Sequence, residues 1–228
     1  MLLKLFILDF MKKYFLFFTL LILVSCSKEN VSETIQPNDS LNVAIDSAKA
    51  KAKATDSLTL EKITPRDIRI INNEILNLLK TRDYEKFAQY IHPEKGVRFS
   101  MYGYVQPKKD KIFSKKDFQK YIGTTIKFTW GEKDGTGDLF QLSLKNYLEK
   151  WVFVKDFTQG EFSVNEIINR GNTINNIKRI YPTATFTENY LGGSKEYAEM
   201  DWNSLRLVFE ELEGELFLVG IINDRWTI

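Results

Sequence analysis

The sequence predicts an α+β domain over residues 63–228, and three observations support this class. Helix-start signals and helical apolar spacing come first, from Thr64 onward. The strongest β signals come last, in stretches rich in β-branched and aromatic residues at 183–190, 205–209 and 217–222. Glu213-Gly214 between the last two stretches suits a hairpin turn. Helices followed by long antiparallel strands are typical of an α+β fold with one core.

Two helices are predicted at the start of this domain. Thr64 is a suitable N-cap, Pro65 suits the first helical position, and Asp67 stands at the third. Apolar residues then recur at helical spacing as far as about Lys80, namely Ile68, Ile71, Ile75, Leu78 and Leu79. Asp83 can cap a second, short helix that ends before His92-Pro93.

The middle of the domain alternates between short strands and capped helices. Residues 96–99, 126–130 and 152–154 read as strands. Ser114 is the clearest helix cap, with Phe113 and Phe118 at the two positions of a hydrophobic staple, and Ser143 is a second cap. Segment 161–168 fits a helix or a strand equally well. A turn at 171–173 is expected to lead into a short helix that reaches Tyr181.

An export signal precedes the domain. Lys12 and Lys13 stand before an apolar run that ends in Leu23-Val24-Ser25-Cys26. This ending resembles the lipobox of bacterial lipoproteins, which implies that residues 1–25 are removed and Cys26 carries lipid. The alternative is a transmembrane helix, but residues 15–25 make up about half of the ~20 apolar residues that a span needs. Met11 is the expected start, because Asp9 interrupts the preceding apolar residues.

Residues 26–62 are predicted to be the lipidated Cys26 and a polar tether. Residues 27–62 contain no aromatic side chain and too few apolar ones for a core. Ser27-Lys28-Glu29-Asn30 resembles the charged export tag of surface lipoproteins in the Bacteroidetes. The expected location is therefore the bacterial outer membrane, with display on the cell surface as the further expectation.

Composition excludes several kinds of chemistry. Residues 26–228 carry 29 basic and 29 acidic side chains, so no excess of positive charge indicates nucleic acid as a partner. Cys26 is the only cysteine, and its lipidation leaves no thiol for a disulfide, a nucleophile or a metal. His92 is the only histidine, which excludes zinc sites with several histidines. Nothing in the sequence indicates a cofactor.

The pattern of the domain resembles NTF2-like (cystatin-like) domains. The resemblance rests on two helices, the segment His92-Pro-Glu-Lys-Gly-Val-Arg-Phe-Ser100 and a terminal hairpin that ends in Ile221-Ile-Asn-Asp-Arg-Trp226. It implies helices packed into a strongly curved antiparallel sheet, which together form a cone with a pocket. The chain is also similar to uncharacterised lipoproteins of the Bacteroidetes. No activity follows, because the fold hosts enzymes and binding modules alike.

Candidate site residues fall into three groups. His92, beside Arg98 and Tyr102, is a candidate general base, although a helix-end role is the simpler interpretation. Tyr104 and Trp130 are candidate ligand contacts, or else core. Glu132, Asp134 and Asp138 share a Gly-rich loop that offers oxygen ligands to Ca²⁺, although Asp-Gly pairs are common in turns. Asp224 beside Arg225 is interpreted as a surface charge pair.

These observations favour a membrane-anchored lipoprotein that binds a small ligand or a partner protein, without catalysis. The first alternative is a hydrolase or isomerase that uses pocket carboxylates and tyrosines. The second is a Ca²⁺-dependent adhesion or glycan-binding module. A concave pocket with convergent ionisable groups would favour the enzyme, whereas a cone filled with aromatic side chains would not.

Overall fold

The computed structural model describes residues 64–168 and 174–227. Every described element belongs to one compact unit within residues 56–228. The predicted signal peptide, Cys26 and tether lie outside the described residues, as does the predicted turn at 171–173. Among the described helices, none is long and apolar enough to cross a membrane.

The first two helices begin where their caps predict. Helix α1 spans Pro65–Thr81, and Thr64 and Asp67 cap each other's backbone amides in a capping box. Helix α2 spans Tyr84–Phe87, and the Asp83 carboxylate accepts a bond from the Lys86 amide at 3.1 Å. A 3₁₀ turn, Ala88–Tyr90, extends α2. The predicted second helix is therefore confirmed, with its last residues wound more tightly.

A six-stranded sheet with the order β2-β1-β8-β7-β6-β5 forms the body of the domain. Its strands are β1 (Val97–Ser100), β2 (Lys111–Phe113), β5 (Glu161–Val164), β6 (Thr185–Leu191), β7 (Asn203–Leu212) and β8 (Glu215–Arg225). Glu213 and Gly214 join β7 to β8 with φ values of 54° and 85°, which confirms the predicted hairpin turn.

The sheet is mixed, so the prediction of a wholly antiparallel sheet is wrong. Strand β1 runs parallel to β8, with Arg98 beside Gly220 and Ser100 beside Ile222. Every other pair in this sheet is antiparallel. A helical segment leads into β1, and the chain returns to β8 only after more than a hundred residues. No tight turn therefore forces these two neighbours to run in opposite directions.

A separate two-stranded hairpin, three further α-helices and two 3₁₀ turns, Phe157–Gln159 and Lys195–Tyr197, complete the described part of the domain. The hairpin pairs β3 (Lys127–Glu132) with β4 (Leu139–Ser143). The helices are α3 (Lys115–Tyr121), α4 (Leu144–Tyr147) and α5 (Ile177–Ile180), and a π-helical turn, Leu148–Val152, extends α4. The Ser114 and Ser143 caps and the helix before Tyr181 are confirmed.

The prediction of a strand at 152–154 is wrong. The segment 161–168, which fitted a helix or a strand, forms strand β5 followed by a loop. Val152 is the last residue of the helical turn after α4 and is fully buried. Burial at the end of a helix has overridden the β propensity of its Val-Phe-Val sequence.

Two clusters of apolar side chains lie on opposite faces of the sheet. The main core contains Leu205 and Leu207 from the sheet, with Ile75 and Leu79 of α1. Val208 and Ile222 belong to a smaller cluster with Ile177. Neighbouring residues of a strand point to opposite faces, so the smaller cluster lies on the face away from α1. Residues 56–228 thus contain a core of their own, as an independently folding domain requires.

A buried polar contact fixes α1 on the sheet. The amide oxygen of Asn72 accepts bonds from Thr187 Oγ1 at 2.7 Å and from Asn189 Nδ2 at 3.0 Å. All three side chains are buried and satisfy one another. This contact sets the position of α1 along β6.

Candidate functional site

The space between the helices and the sheet is filled with aromatic side chains. Trp130 of β3 stacks on Tyr147 of α4, with ring planes 4° apart and centroids 3.6 Å apart. Phe99 meets both rings edge-on, at 5.7 Å and 6.1 Å. Phe113 and Phe128 extend the cluster toward α3. The aromatic cluster packs the β3–β4 hairpin and α4 against β1.

A cleft of about 610 Å³ opens on the outside of this cluster. Its walls are the segment that follows β1, residues 100–110, and the turn between β3 and β4. Aromatic, amide and charged side chains are mixed along the walls, and they include Tyr102, Tyr104, Gln106, Lys109, Asp110, Trp130, Glu132, Lys133 and Asp134. Such a mixture is typical of a site that positions a polar ligand against aromatic surface.

Tyr102 fixes the two walls of the cleft to each other. Its hydroxyl accepts a bond from the Asp134 backbone amide in the β3–β4 turn at 2.9 Å. Its ring meets the Trp151 indole edge-on at 5.8 Å, and Trp151 Nε1 donates to the Met101 carbonyl at 3.0 Å. The opening of the cleft is therefore held by specific contacts.

Asp110 is the ionisable group with the most perturbed environment in the cleft. Burial raises the pKa of its carboxyl to about 6, although a bond from the Gln106 amide at 2.8 Å and the charge of Arg98 act in the opposite direction. A carboxyl group with such a pKa can hold or release a proton near neutral pH. The sequence did not single out Asp110, because it stands among lysines and resembles a surface residue.

The three catalytic candidates do not form one constellation. His92 is buried, and its Nδ1 accepts the backbone amides of Glu94 and Lys95 at 3.2 Å and 3.1 Å. These bonds place His92 at the centre of a local turn, outside the lining of the cleft. Arg98 Nη1 donates to the Pro107 carbonyl at 3.0 Å, behind the cleft wall.

Tyr102 and both ligand-binding candidates line the cleft. Tyr104 is partly exposed there, and its hydroxyl accepts a bond from Arg179 Nη2 at 2.7 Å. Trp130 is buried at the floor, where Nε1 donates to the Leu142 carbonyl at 2.9 Å. Tyr104 also borders a second hollow, of about 1090 Å³, whose walls include Asn165, Asn175 and Phe186.

The three calcium candidates are exposed along the β3–β4 turn. Glu132 and Asp134 line the cleft, and Asp138 lies at the other end of the turn. Within residues 64–168 and 174–227, no group of three or more acidic, histidine or cysteine side chains is placed to hold a metal ion. The turn closes on itself instead, because Lys133 N donates to the Asp138 carbonyl at 2.8 Å.

A buried charge cluster lies on the sheet face away from α1. Arg206 donates from Nε to Glu188 Oε1 at 2.8 Å and from Nη1 to Asp224 Oδ2 at 2.9 Å. Ser204 Oγ also donates to Glu188, and the other carboxylate oxygen of Glu188 accepts the Ile168 amide. Each of these buried charged groups has hydrogen-bond partners of opposite charge or polarity, as buried charges with a role in stability require.

The surface charge pair predicted for Asp224 and Arg225 is wrong. Asp224 is buried and binds Arg206 through its side chain, whereas Arg225 lies over the Trp151 ring at 3.8 Å. Sequence neighbours in a strand point to opposite faces, which separates the two side chains. Burial lowers the pKa of Arg225 below its ordinary value.

No protein-family model matches this chain, and a search of curated proteins finds no match.

Proposed function

We propose that this chain is a lipoprotein of the bacterial cell envelope whose folded domain binds a small ligand or a partner protein. The observation that carries the binding part is the cleft walled by residues 100–110 and the β3–β4 turn, with Tyr104, Asp110 and Trp130 in its lining. The Tyr102 hydroxyl joins the two walls of this cleft, and Trp130 of the aromatic cluster lines its floor.

The anchor part of the proposal rests on the sequence. Lys12 and Lys13, the apolar run and Cys26 have the order of a lipoprotein signal. The test is Cys26→Ser, with Ser27→Ala as the control. Cys26→Ser should abolish labelling by a radioactive fatty acid and release the protein from the outer-membrane fraction, whereas the control should keep both. A Cys26→Ser variant that stays in the membrane would mean that the apolar run is an uncleaved helix.

We propose an NTF2-like fold for the domain. Two helices precede the sheet, α1 packs on one sheet face through Asn72 and its apolar residues, and the chain ends in the long β7–β8 hairpin. This order matches the resemblance seen in the sequence. The parallel β1–β8 pair and the separate β3–β4 hairpin are features of this chain that the resemblance did not include.

The proposed ligand binding is tested with protein purified from the cell envelope of the bacterium that produces it. Native mass spectrometry should show a bound molecule that is lost in Tyr104→Ala. Tyr197→Ala is the matched control, because Tyr197 is also an exposed tyrosine and lies outside the cleft. Asn175→Ala is the second control, because Tyr104 also borders the second hollow and Asn175 lines that hollow alone. Loss of the molecule from either control, or its retention in Tyr104→Ala, would contradict the assignment of the cleft.

A hydrolase or isomerase is the second candidate function, and the environment of Asp110 favours it. Its carboxyl, with a pKa near 6, shares the cleft with the hydroxyl of Tyr102, so an acid–base group and a hydroxyl group face one space. Turnover of the molecule identified above, abolished in Asp110→Asn while binding persists, would establish catalysis. Binding without turnover by the unaltered protein would exclude it for that molecule.

A further inference from the structure

Residues 108–127, here called the basic segment, concentrate the positive charge of the domain. They contain seven lysines and two carboxylates, Asp110 and Asp117, which gives a net charge of +5. Over the described residues the basic and acidic side chains are equal in number, at 23 each. The remaining described residues therefore carry a net charge of −5, so the excess of positive charge belongs to this one stretch of the chain.

The fold turns the apolar side chains of the basic segment inward and its lysines outward. Phe113 and Phe118 are buried, and Phe118 packs on Phe87 of α2 at 5.2 Å. Lys116 and Lys120 are one turn apart on the exposed side of α3. Strand β2, at the edge of the six-stranded sheet, carries the segment along one side of the domain. The lysines, all exposed or half-exposed, are Lys108, Lys109, Lys111, Lys115, Lys116, Lys120 and Lys127.

These lysines are not neutralised within the described part of the chain. None of the seven lies within salt-bridge distance of a carboxylate there, whereas four lysines elsewhere do, namely Lys80, Lys86, Lys95 and Lys155. Asp117 is held by the Ser114 hydroxyl at the N-terminus of α3, and Asp110 is turned into the cleft. The positive charge of the segment is therefore directed to solvent.

Two large apolar side chains lie among these lysines in the basic segment. Ile112 of β2 is 50% exposed, and Ile126, just before β3, is 51% exposed. Lysines interspersed with exposed aliphatic side chains suit the boundary between lipid headgroups and acyl chains. A purely electrostatic partner would not require the isoleucines.

We propose that the basic segment docks the domain onto a bilayer surface rich in anionic lipid headgroups. The inference rests on the proposed anchor for its setting, since lipid at Cys26 would place the domain within reach of a membrane. The predicted tether, as a flexible coil of 36 residues, would span about 30–35 Å.

The test uses residues 56–228, which carry their own core and lack the lipid anchor. Vesicles of phosphatidylcholine alone are compared with vesicles that contain about one-third phosphatidylglycerol, and binding is measured by co-sedimentation at 50 and 500 mM NaCl. The domain should bind only the anionic vesicles, and 500 mM salt should release it, because ions screen surface charges. Equal binding to both vesicles, or none to the anionic ones, would overturn the proposal.

The charge-reversal pair Lys116→Glu/Lys120→Glu locates the surface. It should weaken binding to the anionic vesicles about thirty-fold, equivalent to about 2 kcal/mol. Lys145→Glu/Lys150→Glu is the matched control, because it removes two exposed lysines outside the basic segment and changes the net charge equally. Equal losses in the two pairs would mean that net charge alone acts and would overturn the docking surface.

Two further points separate the docking surface from protein misfolding and from the proposed lipid anchor. Thermal unfolding should be the same for both pairs, and Lys116→Gln/Lys120→Gln replaces the reversal pair if that pair is unstable. The vesicle assay contains no lipidated cysteine, so its failure leaves the anchor untouched. Failure of Cys26→Ser to release the full chain would refute the anchor and leave the docking surface standing.

Discussion

The guanidinium of Arg206 and the carboxylate of Glu188 form an ion pair that is closed to solvent, with Nη2 2.7 Å from Oε1. The two residues are direct neighbours across β6 and β7. Asp224 binds the other side of the guanidinium from β8. One arginine thus joins three adjacent strands of the sheet, on the face away from α1.

Removal of this arginine should destabilise the domain severely. Arg206→Met leaves two carboxylates buried without their cation, which should lower the free energy of unfolding by about 3–5 kcal/mol. Denaturant unfolding monitored by circular dichroism measures this. Arg66→Met, at an exposed position of α1, is the control and should change stability by less than about 0.5 kcal/mol. A loss below about 1 kcal/mol in Arg206→Met would show that the buried charges do not depend on it.

Local signals made much of the fold predictable. Thr64, Ser114 and Ser143 are caps because a side-chain oxygen bonds an amide two or three residues ahead, and that chemistry is visible in sequence. The turn at Glu213-Gly214 could be predicted for the same reason. The parallel pairing of β1 with β8 could not be predicted, because no local signal pairs strands that are far apart in sequence.

Part of the candidate site could be predicted from the sequence. The catalytic candidate Tyr102 and the ligand-contact candidates Tyr104 and Trp130 all line the cleft. Asp110 was missed because its neighbours are lysines, and only the folded chain reveals that its carboxyl turns inward. Arg206 was missed because its partners come from two other strands, so its burial depends on contacts that no short sequence window contains.

In contrast to Arg206→Met, the substitution of Tyr147 by Phe is not expected to lower the stability of the domain. Its side chain is fully buried, and its hydroxyl has no hydrogen-bond partner among the described residues. Tyr147→Phe removes an unsatisfied polar group and should leave stability unchanged or raise it by about 1 kcal/mol. Tyr102→Phe is the comparison, because it deletes the bond to the Asp134 amide and should cost about 1 kcal/mol. Thermal and urea unfolding give both values, and a clear loss in Tyr147→Phe would contradict the account.

Gly103 should tolerate no side chain. A Cβ atom there would lie 2.6 Å from Asp224 Oδ2, and that carboxylate is held in place by Arg206. Gly103→Ala should therefore lower stability by about 1–3 kcal/mol, the usual cost of overpacking. Gly123→Ala is the matched control, since nothing lies within 4 Å of its Cβ position. Equal melting temperatures for the two variants would mean that Asp224 can move aside.

The pKa of Asp110 predicts a pH dependence of stability with a definite sign. Burial raises the pKa in the folded state to about 6, from 3.8 for a free carboxyl, so the folded state binds the proton more tightly. The stability contributed by this group is fully present below about pH 4 and is lost as the pH rises through 6. The shift is worth about 3 kcal/mol unscreened. Water at the cleft mouth should reduce this contribution to about 1–2 kcal/mol.

Asp110→Asn isolates this contribution, because the variant keeps every other titrating group. Urea unfolding of both proteins from pH 4 to pH 7.5 should show that wild type loses about 1–2 kcal/mol more than the variant as the pH rises. Carbon NMR of the Asp110 carboxyl should give a midpoint near pH 6. A midpoint near 4, together with parallel pH profiles for the two proteins, would mean that the carboxyl faces water, and the cleft would then lack its acid–base group.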